Sequence, residues 1–159
     1  MKLPPLGSIS WYVYGGRTFG TLPYILLDIA PGNELYYYNQ YAFNMMNRWE
    51  FIHDRYMGIN FEHNIGNGIF RLIPKLKFRQ FWTAKALWGH LSAANRALNF
   101  KNGNNFQTLD GKTYLELGTG IDNIFHVFRI DCIWRVLPST LPKTGDKSFG
   151  VFGSVRFTF

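Results

Sequence analysis

The sequence has a single cysteine, Cys132, among 159 residues. An internal disulfide and a cysteine metal cluster are therefore excluded within the chain. Charge is also sparse: 17 basic and 10 acidic side chains make up 17% of the residues, below the usual quarter. No run of 18 or more uncharged apolar residues occurs, so a membrane-spanning helix is excluded. The most apolar stretch, residues 22–30, is interrupted by Pro23 and Asp28, and residues 1–5, with Lys2, Pro4 and Pro5, lack the apolar core of a secretory signal peptide. The residues behind the net charge of +7 are dispersed among aromatics and form no single basic block. In excess are aromatics: 15 Phe, 9 Tyr and 5 Trp account for 18% of the chain, which excludes disorder. Many aromatics beside few charges imply an unusual burial environment. An outer-membrane β-barrel supplies one, because its strands of about 9–11 residues alternate lipid-facing with interior-facing side chains.

Period-two alternation, the mark of a half-buried strand, recurs six times. In residues 148–159, Phe149, Val151, Val155, Phe157 and Phe159 fall on one side, and Ser148, Gly150, Phe152, Ser154, Arg156 and Thr158 on the other. In 128–136, Phe128, Ile130, Cys132, Trp134 and Val136 oppose Arg129, Asp131, Ile133 and Arg135. Residues 114–121 set Leu115, Leu117 and Ile121 against Tyr114, Glu116 and Gly118, with Asp122 continuing the polar set. Residues 56–64 set Met57, Ile59 and Phe61 against Tyr56, Asn60 and Glu62, and residues 8–16 set Ile9, Trp11 and Val13 against Ser10, Tyr12 and Tyr14. In 81–91, Trp82, Ala84, Ala86 and Trp88 oppose Thr83, Lys85, Leu87 and Gly89; the alanines also suit a helix, and the segment is read as a strand. Long and short connections alternate, as they do between the two ends of such barrels. This places the 138–147 loop, the Asn-rich stretch between Leu91 and Thr113 and the long 16–54 connection outside, and the 123–126 turn and residues 65–78 on the periplasmic side. No linker divides the chain, so residues 1–159 read as one barrel segment.

The terminal Val155-Arg156-Phe157-Thr158-Phe159 looks like the signal by which bacterial outer-membrane barrels are recognised for insertion. Val155, Phe157 and Phe159 would carry it, and the barrel assembly machinery would be the partner that reads it. The succession Leu117-Gly118-Thr119-Gly120-Ile121-Asp122-Asn123-Ile124, Phe128-Arg129-Ile130-Asp131 and a terminal Phe-x-Phe resembles the last three strands of surface-antigen type barrels of the outer-membrane assembly and two-partner secretion superfamily, over about 45 residues. A closer likeness is carried by Pro31-Gly32-Asn33-Glu34-Leu35-Tyr36-Tyr37-Tyr38, Tyr41-Ala42-Phe43-Asn44-Met45-Met46-Asn47, Glu50-Phe51, Asp54-Arg55-Tyr56, Asn60-Phe61-Glu62-His63 and Leu72-Ile73-Pro74-Lys75-Leu76-Lys77. These resemble the C-terminal barrel of uncharacterised Bacteroidota surface proteins that carry a carboxypeptidase-regulatory-like domain ahead of the barrel. The resemblance implies an outer-membrane location and an antiparallel transmembrane β-barrel. The regulatory-like domain, the signal peptide and the first part of the barrel have no counterpart here, so a C-terminal piece of a longer barrel is expected. No activity is implied.

Eight charged residues collect on the polar sides of the strands: Glu62, Lys85, Glu116, Asp122, Arg129, Asp131, Arg135 and Arg156. Barrel interiors are ordinarily polar, and mixed signs favour pairing over the one-signed rings of an ion-selective pore. Arg129, Asp131, Glu116 and Arg135 are expected to pair across neighbouring strands. Catalysis finds no constellation. His53, His63, His90 and His126 lie on different segments without a helical Glu partner. No Gly-x-Ser-x-Gly elbow or phosphate loop occurs. Glu116 and Asp122 would lie about 20 Å apart along one strand, and Cys132 falls in the apolar set. The basic turn Arg71, Lys75, Lys77 and Arg79 reads as solvated, and no nucleic acid, cofactor or metal is expected. The 16–54 connection is unusually apolar, with Tyr24, Tyr36, Tyr37, Tyr38, Tyr41, Phe43, Met45, Met46 and Trp49. Residues 31–46 are expected to fold into the lumen or over its mouth, since long loops pack on themselves or carry function.

Six visible strands cannot close a lipid-embedded sheet, because the smallest such barrels have eight. Either further strands lie within 17–48, with Glu34 to Phe43 the best candidate, or a longer chain supplies them, which is the preferred expectation. These features point to a noncatalytic outer-membrane barrel for transport, assembly or surface display. Its partners would be the lipid bilayer, the assembly machinery and other outer-membrane or periplasmic proteins. A soluble lipocalin-like barrel binding a small apolar ligand is the alternative, and it requires the apolar set to point inward.

Overall fold

A computed structural model describes residues 7–67, 70, 77–100, 107–139 and 147–155. In chain order the elements are β1 (Ser8–Arg17), β2 (Asp28–Ile29), β3 (Ile52–His53), β4 (Arg55–Gly66), β5 (Arg79–His90), α1 (Ala93–Asn99), β6 (Thr113–Ile124), β7 (Phe128–Leu137) and β8 (Phe149–Val155). The fold is mostly β: six strands form one antiparallel sheet in the order β1-β4-β5-β6-β7-β8, and β2 pairs with β3 alone. All six expected strands are present. The alanine-bearing segment is β5, a strand because ladders hold it on both sides, to β4 and to β6.

Alternation fixes two unlike faces. On the outer face Phe149, Trp134, Leu117, Ala84, Phe61 and Trp11 lie opposite one another in successive strands. One residue along, Arg135, Glu116, Lys85, Asn60 and Tyr12 form the matching row of the inner face. Trp11 is 65% and Trp134 41% exposed, whereas Arg135, Lys85 and Glu116 are exposed by 5%, 4% and 2%. The sheet curls around the charged side. Arg129 of β7 contacts Glu62 of β4 at 2.8 Å, although in a flat sheet three strand spacings would hold them about 14 Å apart. Close packing inside the curl leaves room only for glycine at position 120, where a Cβ would lie 2.1 Å from the Ile130 carbonyl oxygen and 2.5 Å from the Phe81 ring.

The excursion from Thr18 to Asp54 crosses this inner face and makes the core with it. Ala30, Phe43, Met46 and Phe51 pack with Leu87, Leu109 and Tyr114; Leu27 and Ile52 pack with Leu91; Tyr38 packs with Ile133 and Phe152. The candidate strand at Glu34 to Phe43, part of the less preferred alternative, does not form. Aromatic β propensity at Tyr36, Tyr37 and Tyr38 is overridden by flanking asparagines that capture the backbone locally: Asn33 Oδ1 accepts from the Leu35 amide and Asn39 Oδ1 from the Tyr41 amide. The stretch between Leu91 and Thr113, expected as a plain polar loop, contains α1. Its Ala93, Ala94, Ala97 and Leu98 are strong helix formers, and Asn95 and Asn99, one turn apart, are buried on one side. Asn95 accepts from the Leu22 amide and donates to the Gly20 carbonyl, and Asn99 donates to the Leu22 carbonyl. The helix thereby ties down the start of the excursion.

Candidate functional site

The inner face concentrates the chemistry of the chain, and each charged group there has a specific partner. Arg129 donates to both carboxylate oxygens of Asp131, two residues along β7, at 2.7–3.1 Å, and to Glu62 at 2.8 Å. Its guanidinium lies 3.6 Å from the centroid of Phe81 and 4.7 Å from that of Tyr38. One cation thus meets two carboxylates and two aromatic faces, which replaces the hydration it has lost. At one end of the face Asp122 pairs with Arg79 at 2.8 Å.

Lys85 and Glu116 are directly opposed in register, yet both turn to the backbone of the excursion. Lys85 Nζ donates to the carbonyls of Asn39 and Ala42 at 2.8 and 2.6 Å. Glu116 accepts from the amides of Asn44 and Met45 at 3.0 and 2.6 Å, and from the Tyr114 hydroxyl at 2.7 Å. The cation takes carbonyls and the anion takes amides, so a single turn of chain is held at two points by opposite charges. Asn44 closes the turn on itself, accepting from the Asn33 side chain and the Asn39 amide and donating to the Asn39 carbonyl. Arg135, opposed to Glu116, pairs instead with Glu50 of the excursion at 2.8 Å and lies over the Tyr114 ring.

The expected site residues are therefore brought to one face but not paired as expected. Glu62, Lys85, Glu116, Asp122, Arg129, Asp131 and Arg135 all line the inner side. Glu116 makes its bonds to the excursion and to Tyr114, and not to Arg129 or Arg135, because nearby amides supply short hydrogen bonds to a buried carboxylate. Arg129 bonds within its own strand and across the curl. Val155 ends β8 on the outer face, and Arg156, Phe157 and Phe159 lie outside the described residues. Sequence reasoning missed Glu50, Asn39 and Asn44, residues of an irregular segment with no period to expose them.

Beside the sheet, His53 is fully buried against Gly89, where a Cβ would lie 2.3 Å from Nδ1. Burial pushes the ring down to about 4. Burial pushes the neighbouring Asp54 carboxyl up, but hydrogen bonds from Ser92 and Asn95 outweigh it and hold the group below its ordinary value. Among the described residues no group of three or more His, Cys, Asp or Glu is placed to hold a metal ion. A pocket of about 280 Å³ is lined by Asn33, Tyr36, Met45, Phe149 and Phe152 among others. What the arrangement does chemically is anchor an internal segment. Comparison with known proteins finds no matching family model, no matching curated protein and no matching solved structure.

Proposed function

We infer that the chain is the C-terminal part of an antiparallel transmembrane β-barrel in the outer membrane of a diderm bacterium, with residues 31–47 as a resident plug. Its role is noncatalytic, in transport, assembly or surface display. The inversion of faces carries this conclusion: on the same strands charged side chains are buried while tryptophans and aliphatics are exposed. In water each exposed apolar Å² costs about 25 cal/mol, and a continuous apolar face marks a surface that is covered in use. Lipid covers such a face on every strand at once. Strand lengths of 10 to 12 residues in β1, β4, β5, β6 and β7 fit a tilted crossing of about 9–11 residues.

The lipocalin-like alternative needs the apolar set inside, and the outward Trp11, Trp82, Leu117, Trp134 and Val151 argue against it. Strands β1 and β8 are edges of the sheet, and lipid tolerates no unpaired edge, so further strands of a longer chain complete the barrel. Mixed, mutually bound charges favour a plug over a one-signed selectivity ring. The bilayer and the assembly machinery are the partners, the latter through Val155, Phe157 and Phe159.

The test is tryptophan quenching by lipids brominated on their acyl chains. In vesicles, a variant retaining only Trp134 is expected to be strongly quenched, and one retaining only Trp49, on the excursion, weakly. Equal quenching, or a folded chain that stays in the aqueous phase on detergent partition, overturns the reading.

A further inference from the structure

Strand β8 is an edge of the sheet, yet part of that edge is occupied. In an antiparallel ladder successive residues turn their N–H and C=O to opposite neighbours. Ser148 accepts from the Arg135 amide at 2.8 Å, so the even-numbered residues bond to β7, while Phe149, Val151, Gly153 and Val155 aim their backbone groups at the edge. At Gly153 both groups are used: its N–H donates to the Tyr36 carbonyl and its C=O accepts from the Tyr38 amide, each at 3.0 Å. The three tyrosines bridge there in parallel, although every pairing of the main sheet is antiparallel. Phe149, Val151 and Val155 have no backbone partner on this edge among the described residues. Tyr38 has a second role, since its ring lies 4.8 Å from Lys85 Nζ and 4.7 Å from the Arg129 guanidinium.

We propose that the outward edge of β8 is a docking site for an antiparallel β-strand of the barrel lying outside residues 8–155, and that Tyr36–Tyr38 is a stand-in which this strand displaces. The chemistry of the occupant follows from β8, which exposes Phe149, Val151 and Val155 outward and keeps Gly150 and Ser154 inward. A neighbour that continues both faces has apolar side chains outside and small or polar ones inside. The Gly153 N–H and C=O are already bonded to the stand-in, so docking there and capping by the tyrosines exclude each other. Displacement also lifts Tyr38 from Lys85 and Arg129. Pairing at the sheet edge is thereby coupled to the segment that covers the charged row. The identity of the occupant rests on the barrel reading.

The test uses the full chain in detergent micelles with Cys132→Ser, Tyr37→Cys and Gly153→Cys, and as probe a synthetic peptide with the sequence of β1, which has Ile9, Trp11 and Val13 on one side and Ser8, Ser10 and Tyr12 on the other. In the reduced protein the peptide is expected to bind, to slow amide exchange at Phe149, Val151 and Val155, and to speed it at Tyr38. In the oxidised protein, where the stand-in is locked, binding is expected to be lost. Equal binding in both states, no binding in either, or unchanged exchange at Tyr38 overturns the proposal. Self-association through β8 that oxidation abolishes overturns the assigned occupant in favour of a second copy. Quenching of Trp134 by brominated lipid distinguishes the two readings: if it persists while the peptide fails, the edge site falls and the barrel stands.

Discussion

Trp134 and Arg135 are consecutive in β7, and their rows cross the same strands one residue apart. The tryptophan row is exposed and the arginine row is buried beneath the excursion. Either half has ordinary explanations: buried ion pairs occur in soluble cores, and exposed aromatics occur at interfaces. Here the two coincide on β5, β6 and β7, where Lys85, Glu116, Asp122, Arg129, Asp131 and Arg135 are buried and Trp82, Trp88, Leu117, Ile130 and Trp134 are exposed. On the proposed barrel reading, a chain that hides its charges from the medium and offers it tryptophan is matched to a medium poorer in hydrogen bonds than its own interior.

The comparison breaks most visibly on the inner side. Arg129→Ala leaves Asp131 and Glu62 without their shared cation, and removal of one partner from a buried pair costs about 3–5 kcal/mol. Urea titration in lipid vesicles measures this, and a loss comparable to that of a surface substitution would mean that water reaches the inner face freely. Next in size is Ile130→Arg, one residue along and on the outer face. At about 2–4 kcal/mol near the bilayer midplane, it is costly only if lipid touches that face. On a water-exposed strand the same change falls within about 0.5 kcal/mol of neutral.

The excursion supplies a third kind of burial, neutral and unpaired, in His53. Its folded pKa of about 4 lies below the ordinary 6.5, so the unfolded chain binds the proton more readily. Its contribution is intact above pH 6.5 and declines as the pH falls from 6.5 towards 4, by up to about 3 kcal/mol. Asp54 is shifted in the same direction, downward, and acts in a lower window: its depressed carboxyl stabilises above its unfolded value and is lost only as the pH falls through its folded one. The urea midpoint is expected to fall between pH 6.5 and 4 in the native chain and to be flat over that range in His53→Phe. An unchanged slope in the variant would show that a group other than His53 carries the acid sensitivity.

The six strands and the membership of both faces were legible because alternation is a local property, readable from Phe128 to Val136 without knowing what lies opposite. The destinations of the charges were not. Lys85 and Glu116 bind carbonyls and amides, and backbone groups leave no trace in a sequence. Arg135 meets Glu50, a contact that depends on how the excursion folds. The candidate strand at Glu34 to Phe43 gives way to turns because the Asn33 side chain binds the Tyr37 carbonyl, that of Asn39 the Tyr41 amide and that of Asn44 the Asn39 backbone. For α1 the signal was present in Ala93, Ala94, Ala97 and Leu98, with Asn95 and Asn99 at the spacing of one helical turn, and it was masked by the polarity of the surrounding stretch.

The smallest expected effect asks the most of the comparison. Val151 lies on the outer face of β8 opposite Cys132 and is 49% exposed. Val151→Thr keeps the β-branched shape and the strand preference while exchanging a methyl for a hydroxyl. In water a half-exposed position accepts this within about 0.5 kcal/mol, because the hydroxyl is hydrated in both states. In lipid the new hydroxyl finds no water, and a cost of about 1 kcal/mol follows from transferring an unsatisfied hydroxyl into an apolar phase. Paired urea titrations in vesicles, native against variant, read the difference directly. Arginine tests whether the face is apolar by an extreme, and it can escape by bending towards an interface. Threonine is too short to escape, so a zero cost in vesicles would place water, and not acyl chains, against β8.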